Sequence, residues 1–129
     1  FESLYGKLVK DSAITFTPKA CVSMWGALLS NTHINEQSIP CLFLHGEKDV
    51  DVPFNIGRFK GCLNYPLLYG AKSIVKELIG AVVSFHAYAK RDAKHGHSYW
   101  TQEEKNSYLL NFLEGVVEGT LQNMIVRLD

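Results

Sequence analysis

The sequence predicts an α/β architecture: a mainly parallel, three-stranded portion of a doubly wound sheet with flanking helices. Three observations carry this. Two near-continuous apolar runs, "KACVSMWGALL" and "CLFLHG", read as strands buried on both faces. Two further segments, around Ile74–Ile79 and Tyr108–Val117, set apolar residues at helical spacing. The elements also alternate along the chain as helix, strand, loop, strand, helix, strand, helix, and parallel strands need such crossovers.

Taken in order, Phe1, Leu4, Tyr5 and Leu8 recur at the spacing of an amphipathic helix tail. "DSAITFTP" is a polar turn region with a proline stop, after which the first apolar run forms a strand. The polar loop "SNTHINEQSIP" leads to the second strand, "CLFLHG". The stretch that follows is too long for a hairpin. It ends in a helix with the stripe Ile74, Val75, Leu78 and Ile79, and Gly80 as its stop. "AVVSFHAYAK" alternates, with Val83, Phe85, Ala87 and Ala89 on one side, and this predicts a strand near a sheet edge with one face better covered. Thr101 and Glu104 fit a capping box for a last helix, whose buried stripe is Tyr108, Leu109, Phe112, Leu113, Val116 and Val117. Beyond Gly119, Leu121, Met124, Ile125 and Leu128 keep a weak helical pattern, expected to pack or pair with something outside the chain.

Composition narrows the function classes. The 129 residues hold at most one domain's worth of core, and no repeat, low-complexity stretch or linker divides them. Formal net charge is zero and no Lys/Arg cluster occurs, which argues against nucleic acid or an anionic membrane as partner. No apolar run approaches the roughly 20 residues of a membrane span. Three cysteines, Cys21, Cys41 and Cys62, are too few and too irregular for a disulfide scaffold or zinc knuckle. Cys21 and Cys41 each open a strand and are expected to be small buried hydrophobes. The opening "FESLYGKLVK" has neither Met nor a basic-then-apolar leader, so Phe1 is expected to be internal to a longer protein.

In open α/β sheets, ligands bind at the carboxyl ends of the strands. Asp49 follows the second strand there, and His95 and His97 follow the third. A carboxylate that orients an imidazole acting as general base is two thirds of the apparatus that activates a serine nucleophile.

At these residues a family resemblance becomes specific. "PCLFLHGEKDVDVP" resembles the strand-plus-acid segment of α/β-hydrolases, an apolar strand followed by His-Gly-x-x-Asp-x-x-Val-Pro. In that register the family's triad acid falls on Asp49. "KHGHSYW" before a capped helix is similar to the family's Gly-His segment, which places the base on His97; the family's His-Gly variant would place it on His95. "PKACVSMWGAL" resembles the preceding core strand, whose end lines an acyl pocket near Trp25 and Gly26, with Trp100 a possible wall at its mouth. "PLLYGAKSIVKEL" resembles the helix before the last strand in esterase and lipase-like members. The likeness runs from about Pro18 to Leu113, and the order acid then histidine matches the family's.

The resemblance implies a carboxylic ester hydrolase with a Ser-Asp-His triad, no cofactor, and a small-molecule or lipid ester as substrate. One departure is plain. No Gly-x-Ser-x-Gly occurs, so neither nucleophile elbow nor oxyanion donors are supplied by these residues. Residues 1–129 are therefore expected to be the C-terminal part of a single α/β-hydrolase domain, inactive alone and prone to pair with its missing N-terminal half or with itself.

Blander readings stand beside these. Asp49 could merely cap a turn, Asp51 and Glu47 read as solvated loop charges, and His45 as a structural rim residue. His86 reads as a strand side chain, His33 as loop, and Trp25 and Trp100 as core. Two other function classes use the same residues: a non-catalytic α/β interaction domain, or a divalent-metal site of His95, His97, Asp49 and Asp51.

Overall fold

The computed structural model describes residues 17–129; the helix expected at Phe1–Leu8 lies outside them. The elements are β1 (Cys21–Met24), β2 (Cys41–Gly46), β3 (Ile56–Arg58), β4 (Leu67–Tyr69), α1 (Ala71–Gly80), β5 (Phe85–Lys90), α2 (Gln102–Glu118) and β6 (Met124–Leu128). The main sheet has four strands in the order β1-β2-β5-β6, and every neighbouring pair is parallel. β3 and β4 form a separate antiparallel pair inside the long connection between β2 and α1.

The protein is thus mixed α/β, with helices on both faces of a parallel sheet. β2 shows why its sequence is apolar without alternation: Leu42, Phe43 and Leu44 are all buried. Phe43 faces α1 together with Phe85 and Ala87, against Ile74, Val75 and Leu78. Leu42 and Leu44 face the other way with Tyr88, against Phe112 of α2 and Trp100. Apolar clusters thus lie on both faces of the sheet.

Several expectations need correction. β1 is an edge strand, with Cys21 and Val22 exposed, because one of its edges has no partner among the described residues. β5 lies in the interior, paired on both edges and covered on both faces, where a strand near the edge was expected. The tail after Gly119 makes a fourth strand in place of a weak helix. Its Met124, Val126 and Leu128 pack toward α2 while Ile125 and Arg127 face away. A complete hydrogen-bond ladder with β5, from His86↔Met124 to Lys90↔Leu128, outweighs the helical spacing of four apolar residues.

The helices keep most of their expected faces. In α1, Ala71, Ile74, Val75 and Leu78 are buried, but Ile79 is 52 % exposed because it sits at the edge of that face. The capping box of α2 is complete: the Glu104 amide donates to Thr101 Oγ1 at 3.0 Å, and the Thr101 amide to Glu104 Oε2 at 2.8 Å. Phe112 is fully buried and Tyr108, Leu109 and Val116 pack beside it. Leu113 and Val117 are exposed, so the stripe is narrower than its periodicity predicts. The helix stops at Gly119, which takes a left-handed φ of 69° that a Cβ would disfavour.

Candidate active site

β2 and β5 are neighbours through six register pairs, Cys41↔Phe85 to Gly46↔Lys90, so the loops leaving their carboxyl ends start side by side. Backbone bonds lace the two loops together. The Glu47 amide donates to the Lys90 carbonyl at 2.9 Å and the Lys48 amide to the Ala93 carbonyl at 3.1 Å. Gly46 makes this approach possible, since a Cβ there would collide with the Ala93 carbonyl. Ala93 is buried in the seam. The chain emerges from it two residues before His95.

Asp49 sits at the centre, with no exposed side-chain surface. Its Oδ1 accepts from the backbone amides of Asp51 at 3.0 Å and Val52 at 2.9 Å, closing its own turn. Its Oδ2 lies 2.9 Å from His95 Nδ1 and 3.4 Å from His45 Nε2. The turn therefore holds one oxygen and leaves the other to two imidazoles. Asp51 contributes its amide here, and the Glu47 carboxylate is engaged by the Arg127 guanidinium at 2.6 and 2.7 Å.

His45 is 1 % exposed and ends the apolar part of β2. Its Nε2 lies 3.1 Å from the Val52 carbonyl, an acceptor only, so Nε2 carries the proton and donates. Burial pushes the His45 pKa down, with the Val52 carbonyl and the Asp49 charge opposing the shift, and the ring is neutral at pH 7. Phe54 stands edge-on to it at 5.6 Å between ring centroids.

His95 is the partner of Asp49; His97, expected in that place, is not. Gly96, at φ 108°, turns the chain after His95, and His97 opens the short 3-10 turn His97–Tyr99. Lys90 pins that turn by donating to the Tyr99 carbonyl at 3.0 Å while pairing with Glu104 at 3.0 Å. Among the described residues His97 makes no hydrogen bond or ion pair with Asp49. With Nδ1–H donating to the carboxylate, His95 Nε2 is left as the acceptor, on a side chain 38 % exposed.

Trp25 follows β1 in a left-handed conformation, φ 59°, with its amide bonded to the Leu44 carbonyl at 2.9 Å. Its ring meets the His95 ring edge-on at 6.5 Å, and its indole N–H is buried without a partner. Trp25 thus stands at the dyad, with Gly26 next in the chain. Trp100 does not line the site: it is 3 % exposed in the core between α2 and the sheet, and Lys90 Nζ lies 5.3 Å from its ring centre.

The metal reading is also corrected. Asp49 and His95 meet but His97 does not join them, and no group of three or more His, Cys, Asp or Glu among the described residues is arranged to hold a metal ion. His45 is the participant that residue-type reasoning undervalued. The available signal was its place at the end of a buried strand, where an imidazole needs a polar partner.

Comparisons with known proteins add nothing to these geometric assignments: no family model matches the chain, and neither a curated protein nor a solved structure is recognisably similar.

Proposed function

We propose that this chain carries the acid and base of a serine carboxylic ester hydrolase of the α/β-hydrolase type, with Asp49 as acid and His95 as base. The observation that carries the reading is the 2.9 Å contact from His95 Nδ1 to a buried carboxylate whose other oxygen is already held by two amides. Such a carboxylate fixes the imidazole's tautomer and stabilises the imidazolium as it forms. The parallel order β1-β2-β5, with acid and base leaving adjacent strands at the same end, supports the same reading.

The chemistry follows from the free Nε2. It takes the proton from a serine hydroxyl as the oxygen attacks the ester carbonyl, then returns it to the departing alcohol. Water, deprotonated by the same nitrogen, cleaves the acyl-enzyme. Serine and oxyanion donors come from outside these 129 residues, and their source is a segment that pairs along the free edge of β1. His45, neutral with its Nε2–H given to the Val52 carbonyl, packs 3.4 Å from Oδ2 without competing for the proton. No cofactor takes part.

The test is labelling of the intact, longer protein with a fluorophosphonate. The expected result is one labelled serine, with labelling and ester turnover lost in His95→Ala and retained in His97→Ala. The reverse order of sensitivity would overturn the assignment. Absence of labelling would favour the competing reading, a non-catalytic α/β interaction domain, which draws on the missing Gly-x-Ser-x-Gly. The 129-residue chain alone should turn over no ester, because it lacks the largest catalytic terms.

A further inference from the structure

Two of the three cysteines, twenty positions apart in sequence, are brought face to face by the fold. Cys21 opens β1, Cys41 opens β2, and the parallel register pairs them directly. Paired residues on neighbouring strands point to the same side of the sheet, and Cys41 packs toward the α1 face. Strand neighbours lie about 4.8 Å apart. That falls within the Cα separations that disulfides span, roughly 4.4–6.8 Å. The Cys41 thiol donates to the Ile39 carbonyl at 3.2 Å, which fixes the half-buried sulfur beside its strand partner. Cys21 is exposed and Cys41 half-buried behind it, the arrangement of an attacking thiol and a resolving one. The sequence expectation of two small buried hydrophobes therefore fails for Cys21.

We propose that Cys21 and Cys41 form a reversible dithiol–disulfide site, oxidised by a peroxide at Cys21 and resolved by Cys41. The Cys21 thiolate attacks one peroxide oxygen; the S–O bond forms, the O–O bond breaks, and hydroxide leaves to become water. Cys41 sulfur then attacks Cys21 sulfur, the S–S bond forms, the S–O bond breaks, and a second water departs with the Cys41 proton. Two thiols and one hydrogen peroxide give one disulfide and two waters. An added dithiol reverses the step by exchange.

The electrostatics favour this division of labour. The neighbouring Cys41 thiol lowers the Cys21 pKa, which favours thiolate character on the exposed sulfur. Cys41 is pushed up by its Cys21 neighbour and by burial, and keeps the proton that it gives to the Ile39 carbonyl. The site stands apart from Asp49 and His95, because it lies at the amino ends of the strands that carry the dyad at their carboxyl ends.

The experiment is peroxide treatment of the folded 129-residue chain, followed by thiol titration in denaturant and peptide mapping. Three titratable thiols should fall to one, with a single peptide linking Cys21 to Cys41 and full recovery after dithiothreitol. Cys62→Ser should fall from two thiols to none, and Cys41→Ser should keep a Cys21 sulfenic acid that dimedone traps. Before oxidation, iodoacetamide at pH 6.5 should modify Cys21 first. Three thiols surviving, a link through Cys62, or a covalent dimer in place of the internal link would overturn the proposal. So would Cys62 reacting ahead of Cys21. The same treatment in denaturant should scramble the pairings, which separates the fold's contribution from chance proximity.

Discussion

His45 and His95 share one oxygen: Nε2 of the first lies 3.4 Å and Nδ1 of the second 2.9 Å from Asp49 Oδ2. One ring is sealed in the protein and the other is open to solvent, so a single carboxylate organises a buried imidazole and an exposed one.

Asp49→Asn should separate those roles. An asparagine can still accept from the Asp51 and Val52 amides, but it offers an N–H where His95 Nδ1–H expects an acceptor. The His95 tautomer should switch to Nε2–H, read by nitrogen chemical shifts in the 129-residue chain. In the intact protein, turnover should fall about 10⁴-fold. Asp49→Ala should in addition cost about 2–4 kcal/mol of stability, measured by urea unfolding, because buried donors lose their acceptor.

Acid should weaken the fold through its buried histidines. Burial lowers the folded-state pKa of both His45 and His86. The unfolded chain then binds more protons as pH drops below about 6.5, and stability falls toward the lowered values. Each ring contributes at most about 1.4 kcal/mol per pH unit within that window and nothing above it. His45→Gln, which can still donate to the Val52 carbonyl, should flatten the slope of unfolding free energy between pH 7 and 5. An unchanged slope would show that His45 titrates alike in the folded and unfolded chain.

Gly46→Ala should damage the seam between the two site loops. Its Cβ would run into the Ala93 carbonyl, a backbone group that cannot rotate away. A loss of about 2 kcal/mol or more in unfolding free energy is expected. The His95 resonances should shift with it, since that residue follows the displaced carbonyl. Thr101→Ala is the comparison: loss of a cap, about 1 kcal/mol, with His95 unmoved.

The free edge of β1 should drive association. Its backbone groups have no ladder on one side among the described residues, and Val22 is 39 % exposed. Light scattering should find the 129-residue chain above monomer mass, and Val22→Lys should return it toward monomer. A stable wild-type monomer would refute this.

Much of this arrangement was legible in residue order alone. β2 could be read because it is apolar on both faces and ends in Gly, and α2 because Thr101 and Glu104 announce its start. Three acids follow that buried strand, and Asp49 could be singled out among them only through the resemblance of "PCLFLHGEKDVDVP" to a strand-plus-acid segment. The choice between His95 and His97 could not: it turns on where Gly96 bends the backbone, and both imidazoles share the same local sequence. β6 was hidden because Met124, Ile125 and Leu128 satisfy a helical spacing while Met124, Val126 and Leu128 satisfy an alternation, and only the open edge of β5 decides between them. The same strand made β5 an interior strand, so one misread tail displaced two expectations.

The six-rung ladder between β2 and β5 has a mechanical corollary. Asp49 and His95 follow the ends of two rods clamped along their whole shared length, so the spacing of those rods sets where the two short loops begin. Warming should leave that gap unchanged until the clamp itself lets go, and amide exchange along Leu42–Leu44 and Phe85–Tyr88 would report the same failure temperature as the loss of the imidazole–carboxylate contact.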